Sequence, residues 1–160
     1  MLLRAMIFAL LLGWGGAAAA CQCQADPTDD DPDLAAAELM KGAAAIIDAV
    51  VARPLDPATG AGEVLRATQV WHGPADATLF KMADLASFVV DGRREVTPPS
   101  PCTEHYTQAG QPVRVVLYGE PGGYWVSSCA IAKLGRPEML AALARRLRRP
   151  EMLPPPGAAR

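Results

Sequence analysis

The cysteines of Cys21-Gln22-Cys23, together with Cys102 and Cys129 far downstream, are the most reactive side chains of this chain. Four cysteines admit two kinds of site. One is a pair of disulfides. The other is a thiolate metal centre, and Cys102-Thr103-Glu104-His105 has ligand-like spacing, so Cys21, Cys23, Cys102 and His105 form a formal zinc set. The compartment decides between them: zinc needs reduced thiolates, whereas cysteines of exported chains are oxidised in pairs.

The start of the chain reads as an export leader. Arg4 supplies a positive first region, Ala5 to Leu12 an apolar stretch, and Gly13 to Ala20 a small-residue exit ending in Ala18-Ala19-Ala20. The apolar stretch is shorter than the roughly 20 residues a membrane span needs. We therefore expect residues 1–20 to be a signal peptide and the mature chain to begin with the free α-amine of Cys21, secreted or periplasmic, with no transmembrane span after cleavage. The alternative is a lipid-anchored envelope protein with an acyl group on Cys21. That route usually has a larger aliphatic residue where this chain has Ala18, and it would leave an odd three cysteines for pairing.

In an exported chain the cysteines favour disulfides. A bridge between Cys21 and Cys23 would be strained across one intervening residue. Two arrangements remain, both tying the Cys-x-Cys end to two distant positions. Loops this long constrain the unfolded chain by about 4–5 kcal/mol each on the chain-entropy model.

Without the leader, 140 of 160 residues remain, enough for one domain with a core. The formal charge of −2 hides a split. Cys21 to Ala132 carries 7 Lys/Arg against 15 Asp/Glu, net −8, and Lys133 to Arg160 carries 7 against 2, net +5. An acidic body with a basic tail lacks the global positive excess of a nucleic-acid binder. With no Ser-His-Asp set, HExxH or Gly-rich phosphate loop, the chain is not expected to be an enzyme, and no cofactor is implied.

The elements that must position the cysteines follow in order. Gln24 to Asp33 holds five Asp and two Pro and reads as a solvated loop, with Asp33 capping a helix over Leu34–Lys41. Ala44–Arg53 is dense in β-branched residues and stops at Pro54, a strand. Glu63–Trp71 alternates, with Leu65, Ala67 and Trp71 on one face, and ends at the His72-Gly73-Pro74 turn, which leaves His72 an exposed loop residue. Thr78–Met82 and Ser87–Val90 are shorter strands, and Arg93–Pro101 is a charged, then Pro-rich loop leading to Cys102. Val113–Tyr118 is the clearest strand. Gly119–Gly123 turns it back, and Tyr124–Ser128 returns into Cys129. Arg136–Arg149 has helical periodicity, with Pro137 in its first turn and Arg145, Arg146, Arg148 and Arg149 at its basic end. Residues 150–160 read as a disordered Pro-rich tail. Five or so short strands with one or two peripheral helices suit an all-β fold, a small OB-type five-stranded Greek-key barrel over residues 21–135, followed by the basic helix at 136–149.

The Cys-x-Cys start, the short helix, Ile47-Asp48-Ala49-Val50-Val51-Ala52, Val64 to Gly73, the Gly110-to-Tyr118 strand after Cys102, and Tyr124-Trp125-Val126-Ser127-Ser128-Cys129 together resemble a netrin-like domain. The form they resemble is the N-terminal domain of tissue inhibitors of metalloproteinases, over roughly Cys21 to Leu140. The resemblance implies the bridges Cys21–Cys102 and Cys23–Cys129. It further implies inhibition of a zinc metalloproteinase, with the amine and carbonyl of Cys21 chelating the protease's zinc in trans, Gln22 probing the adjoining pocket, and Cys23 and Gln24 extending the contact. The chain departs from those inhibitors near Met40, where they carry a further cysteine, and at Gln22, where they carry a small hydroxyl residue. Netrin-like domains elsewhere bind partners without inhibiting anything. The alternative reading is thus a non-inhibitory envelope or extracellular interaction module, whose arginines 145, 146, 148 and 149 would meet an anionic surface.

The leader reading has a direct check. The intact mass of the purified exported protein should correspond to a chain beginning at Cys21. A diacylglycerol adduct or a retained leader would exclude a free Cys21 amine.

Overall fold

The described residues of the computed structural model are Cys23 and Asp30–Leu153. The strand signal at Ala44–Arg53 is realised as β1 (Ala45–Arg53), the centre of a five-stranded sheet. β2 (Val64–His72) and β6 (Pro112–Tyr118) flank it, both antiparallel. Outside them lie β3 (Leu79–Lys81), paired with β2, and β7 (Trp125–Val126), paired with β6. The sheet order is β3-β2-β1-β6-β7. The sheet curls into a half-barrel, and its two outer strands approach at one parallel bridge, Met82 to Tyr124, where the Ala83 N–H donates to the Tyr124 carbonyl at 2.7 Å. A separate two-stranded ribbon, β4 (Ser87–Val90) and β5 (Arg93–Val96), stands apart.

Strict alternation along β1 sorts side chains into two layers. Ala45, Ile47, Ala49 and Val51 face the concave interior with Leu65, Phe80, Val115, Leu117 and Tyr124. Ile46 faces outward with Val116, onto the helices. This is why β1 reads as an almost unbroken apolar run: both of its faces are buried. The polar interruption, Asp48, lies directly across from Arg114 on β6 and takes a bidentate ion pair from it, with Nη2 to Oδ2 at 2.7 Å. The same guanidinium donates to the Met152 carbonyl at 2.7 Å and stands 5.6 Å over the Trp71 ring.

Three helices cover the outer face: α1 (Pro32–Lys41), α2 (Ser128–Leu134) and α3 (Pro137–Leu147). Ala35, Ala36 and Leu39 of α1 pack with Met139, Leu140 and Leu143 of α3. The cap of α1 is Asp31, whose carboxylate accepts from the N–H groups of Asp33 and Leu34 at 2.9 and 3.2 Å, with Pro32 following it. Asp33, expected as the cap, sits inside the helix, because Pro32 is the better first-turn residue.

Other expectations shift for local reasons. Trp71 turns to the helix side, opposite Leu65 and Ala67, because the β1–β2 register slips between Asp48 and Ala49 and again between Ile46 and Ile47. His72 is the last residue of β2, paired with Ile46, rather than part of the turn. Gly73 makes that turn with φ +104°, and a Cβ there would lie 2.6 Å from the Ala44 carbonyl oxygen. Arg93–Val96 is a strand instead of loop, returning β4 through Asp91-Gly92, both at positive φ. Of the expected Tyr124–Ser128 strand, Trp125–Val126 pairs with β6 while Tyr124 and Ser127 form isolated bridges; from Ser128 the chain coils, so Cys129 lies in the first turn of a helix. The Pro-rich tail is ordered at its start. Pro150–Met152 forms a 3-10 turn, and Met152 is fully buried under α3, since a thioether side chain gains more from burial than from an extended solvated tail. Pro154–Arg160 lies outside the described residues.

Met152 therefore contributes to folding. Met152→Ala should cost about 2–5 kcal/mol, the range for emptying a filled apolar site, read as a lower urea midpoint at unchanged slope.

Candidate functional site

The Cys-x-Cys end is built from its downstream partners. Cys23 is bridged to Cys129, 106 residues later, with Cα atoms 5.4 Å apart. The Ser128 N–H donates to the Cys102 carbonyl at 3.1 Å, and the Ser128 hydroxyl donates to the Pro101 carbonyl at 3.3 Å. Thr103 and Ser127 form a further bridge. The fold thus brings Cys23, Cys129 and Cys102 together at one rim of the half-barrel. No described cysteine is free. Cys21, Gln22 and Gln24 lie outside the described residues, and so does the expected Cys21–Cys102 bridge.

The alternative zinc set does not assemble. Cys23 is spent in a disulfide, and His105 turns its Nδ1 toward Glu63 Oε1 at 2.9 Å. Among the described residues no three His, Cys, Asp or Glu side chains could hold a metal ion. The four arginines of α3 and its end are partly engaged as well. Arg145 pairs with Asp33 at 2.9 Å, Arg146 donates to the Asp33 carbonyl at 3.1 Å, and Arg149 reaches Glu151 at 3.5 Å. Arg148 takes the left-handed cap conformation with φ 53°.

Glu63 is the residue that the motif reading missed. It is the one buried charged side chain among the described residues, at 0% exposure. Its Oε1 accepts from the Tyr106 N–H at 2.8 Å as well as facing His105, while Oε2 is buried with no partner. An unmatched buried polar atom costs about 1–3 kcal/mol. The signal was available: Glu63, Leu65 and Ala67 share one parity, and extending the alternation back from Leu65 carries a carboxylate onto the buried face.

Glu63 is positioned by backbone. Gly62 lets β2 approach the end of β3 so closely that a Cβ would lie 2.5 Å from the Met82 and Ala83 carbonyl oxygens. The Gly62 N–H donates to Asp84 Oδ1 at 2.8 Å, and the Met82 N–H donates to the Glu63 carbonyl at 2.8 Å. The Gly62 N–H, and secondly Lys81 at 3.1 Å, hold the Asp84 carboxyl below its ordinary range. Burial, then the carboxylates of Glu104 and Glu63, push the Tyr106 hydroxyl well above the ordinary tyrosine range, so it stays protonated.

Glu63 and His105 line a cavity of about 190 Å³, walled by Met82, Leu85, Tyr124 and Trp125. Thr103, next to Cys102, lies in its wall. Trp125, stacked on Tyr118 at 4.8 Å, separates it from a second depression lined by Ser127, Cys129 and Lys133. The cavity and the disulfide rim are thus neighbours on one surface.

Comparison with protein-family models, with curated proteins and with solved structures finds no match for this chain.

The Asp84 contact makes the cavity wall acid-sensitive. A carboxyl whose folded pKa is depressed contributes stability that is present above the ordinary value and is lost as pH falls through the folded one. Stability should therefore decline below about pH 4, and Asp84→Asn should flatten that part of the profile while lowering stability at neutral pH. Urea midpoints measured from pH 7 to pH 2 check this; an unchanged acid profile in the variant would exclude Asp84 as its source.

Proposed function

We propose that this chain is an exported binding module of netrin-like type, whose disulfide-held N-terminus inhibits a zinc metalloproteinase by chelation. The observation that carries the reading is the Cys23–Cys129 bridge on a rim shared with Cys102, which ties the third residue of the mature chain to the body of the fold. We read the scaffold as an OB-type barrel. The strand order β3-β2-β1-β6-β7 and the single parallel contact between the outer strands are what a partly open Greek-key closure of five strands calls for.

The chemistry requires a neutral amine and an adjoining carbonyl at a fixed separation. An α-amine with an ordinary pKa near 8 offers a usable neutral fraction at physiological pH. Placed on the protease's catalytic zinc, the two groups displace the water that would attack substrate. Fixing the end in advance reduces the conformational entropy lost on binding, which lets a small contact bind tightly. Gln22 then enters the neighbouring pocket. Its amide is desolvated there without a built partner, at a cost of about 1–3 kcal/mol.

The second reading, an interaction module that meets an anionic envelope surface through its basic end, draws on Arg148, whose side chain has no partner among the described residues. The contacts of Arg145, Arg146 and Arg149 with Asp33 and Glu151 leave it less free positive charge than composition suggests.

N-terminal variants discriminate the two. One Ala added before Cys21 should abolish inhibition of a zinc metalloproteinase by moving the amine off the metal, and Gln22→Thr should strengthen it by about tenfold, the equivalent of relieving 1.4 kcal/mol of desolvation. Inhibition that survives the added Ala would exclude chelation. Binding lost instead on neutralising the arginines would select the interaction module.

A further inference from the structure

We infer that the Glu63 cavity is a binding site for a primary ammonium or guanidinium group carried on an alkyl stem. The inference rests on Glu63 and the walls around it, and not on the chelation reading. Three observations converge. The floor carries a fully buried carboxylate with one oxygen, Oε2, that no protein group satisfies. The walls are apolar, from Met82, Leu85, Tyr124 and Trp125, and suit a hydrocarbon stem. Glu104 also lines the cavity and has no ion pair among the described residues, which adds a second acidic side chain to the site.

The class of occupant follows from what is missing. Oε2 has no hydrogen-bond partner among the described residues, and of the two other carboxylates of the wall Asp84 is already held by the Gly62 N–H and by Lys81. A metal ion is a poor fit, because no three ligating side chains converge. Water could fill the volume but would leave the apolar walls wetted. A cationic nitrogen supplies donors and charge to the carboxylate, and its stem covers the walls. Selectivity against a neutral alcohol of the same length comes from the charge-assisted contact. The cation could come from a free amine or from a lysine or arginine side chain of a bound polypeptide.

The test uses the full isotope-labelled chain, followed by NMR while butylammonium, butylguanidinium or butan-1-ol is added. The two cations should give saturable shifts at Thr103, His105 and the Trp125 indole, with butan-1-ol weaker by about tenfold, the scale of one hydrogen bond to a charged group. Equal response to the alcohol, or no response at those residues, would overturn the assignment. Glu63→Gln should lose the preference for the cations. Should that variant not fold, Thr103→Phe, which crowds the cavity without touching Glu63, should weaken both cations; unchanged binding in either folded variant would overturn the site. A capped Ala-Lys-Ala peptide binding more tightly than butylammonium assigns the cation to a polypeptide side chain, and weaker binding assigns it to a free amine. The chain extended by one Ala before Cys21 should respond identically, so this result and the chelation result can fail separately.

Discussion

Burial of β1 on both faces is the constraint on which the rest of the structure depends. Its inward row, Ala45, Ile47, Ala49 and Val51, requires a curled sheet to close around it, and its outward Ile46 requires a second layer. Three helices supply that layer, and Met152 completes it from beyond the last of them. A central strand covered on both sides has no room for an unpaired charge. Asp48 is tolerated because Arg114 meets it across the ladder, and the same guanidinium ties down the end of the chain at the Met152 carbonyl. One cross-strand ion pair therefore couples the middle of the sheet to the closing turn.

The division of charge along the chain acquires a different meaning in three dimensions. The acidic first turn of α1 and the basic end of α3 are neighbours, since α1 packs on α3. Asp33 faces Arg145 and lends its carbonyl to Arg146. Exposed pairs of this kind contribute little stability individually. Their larger effect is to reduce the field that either segment would present to a partner.

The candidate surface is organised around Trp125. On one side is the rim where Cys23 joins Cys129 beside Cys102; on the other is the cavity over Glu63. Both rest on the same few strand ends, where β3 and β7 meet at Met82 and Tyr124. Placing the site where the outer strands join gives it backbone support from both edges of the sheet. It also leaves Glu63 Oε2 buried without a partner, a local cost of the kind folds carry at binding sites rather than in cores.

Most elements and their partition into strands and helices are readable from local pattern alone. The β-branched run of β1, the Val113–Tyr118 strand, the Pro137 start and leucine period of α3, and the single-residue spacing of the first two cysteines were all legible, because each rests on local sterics or on short-range periodicity. Where local pattern and structure differ, long-range contact is the cause. Trp71 changed face because the register with β1 slips, Cys129 moved onto a helix because Ala130 and Leu134 find a place in the outer layer, and Met152 left the Pro-rich tail because α3 offers it cover. Glu63 shows the limit most clearly. Alternation carries it to the buried face, but only the fold brings Tyr106 and His105 to one of its oxygens and nothing to the other. Residues 42 and 43 positions away in sequence make those contacts, and no local pattern encodes a partner at that distance.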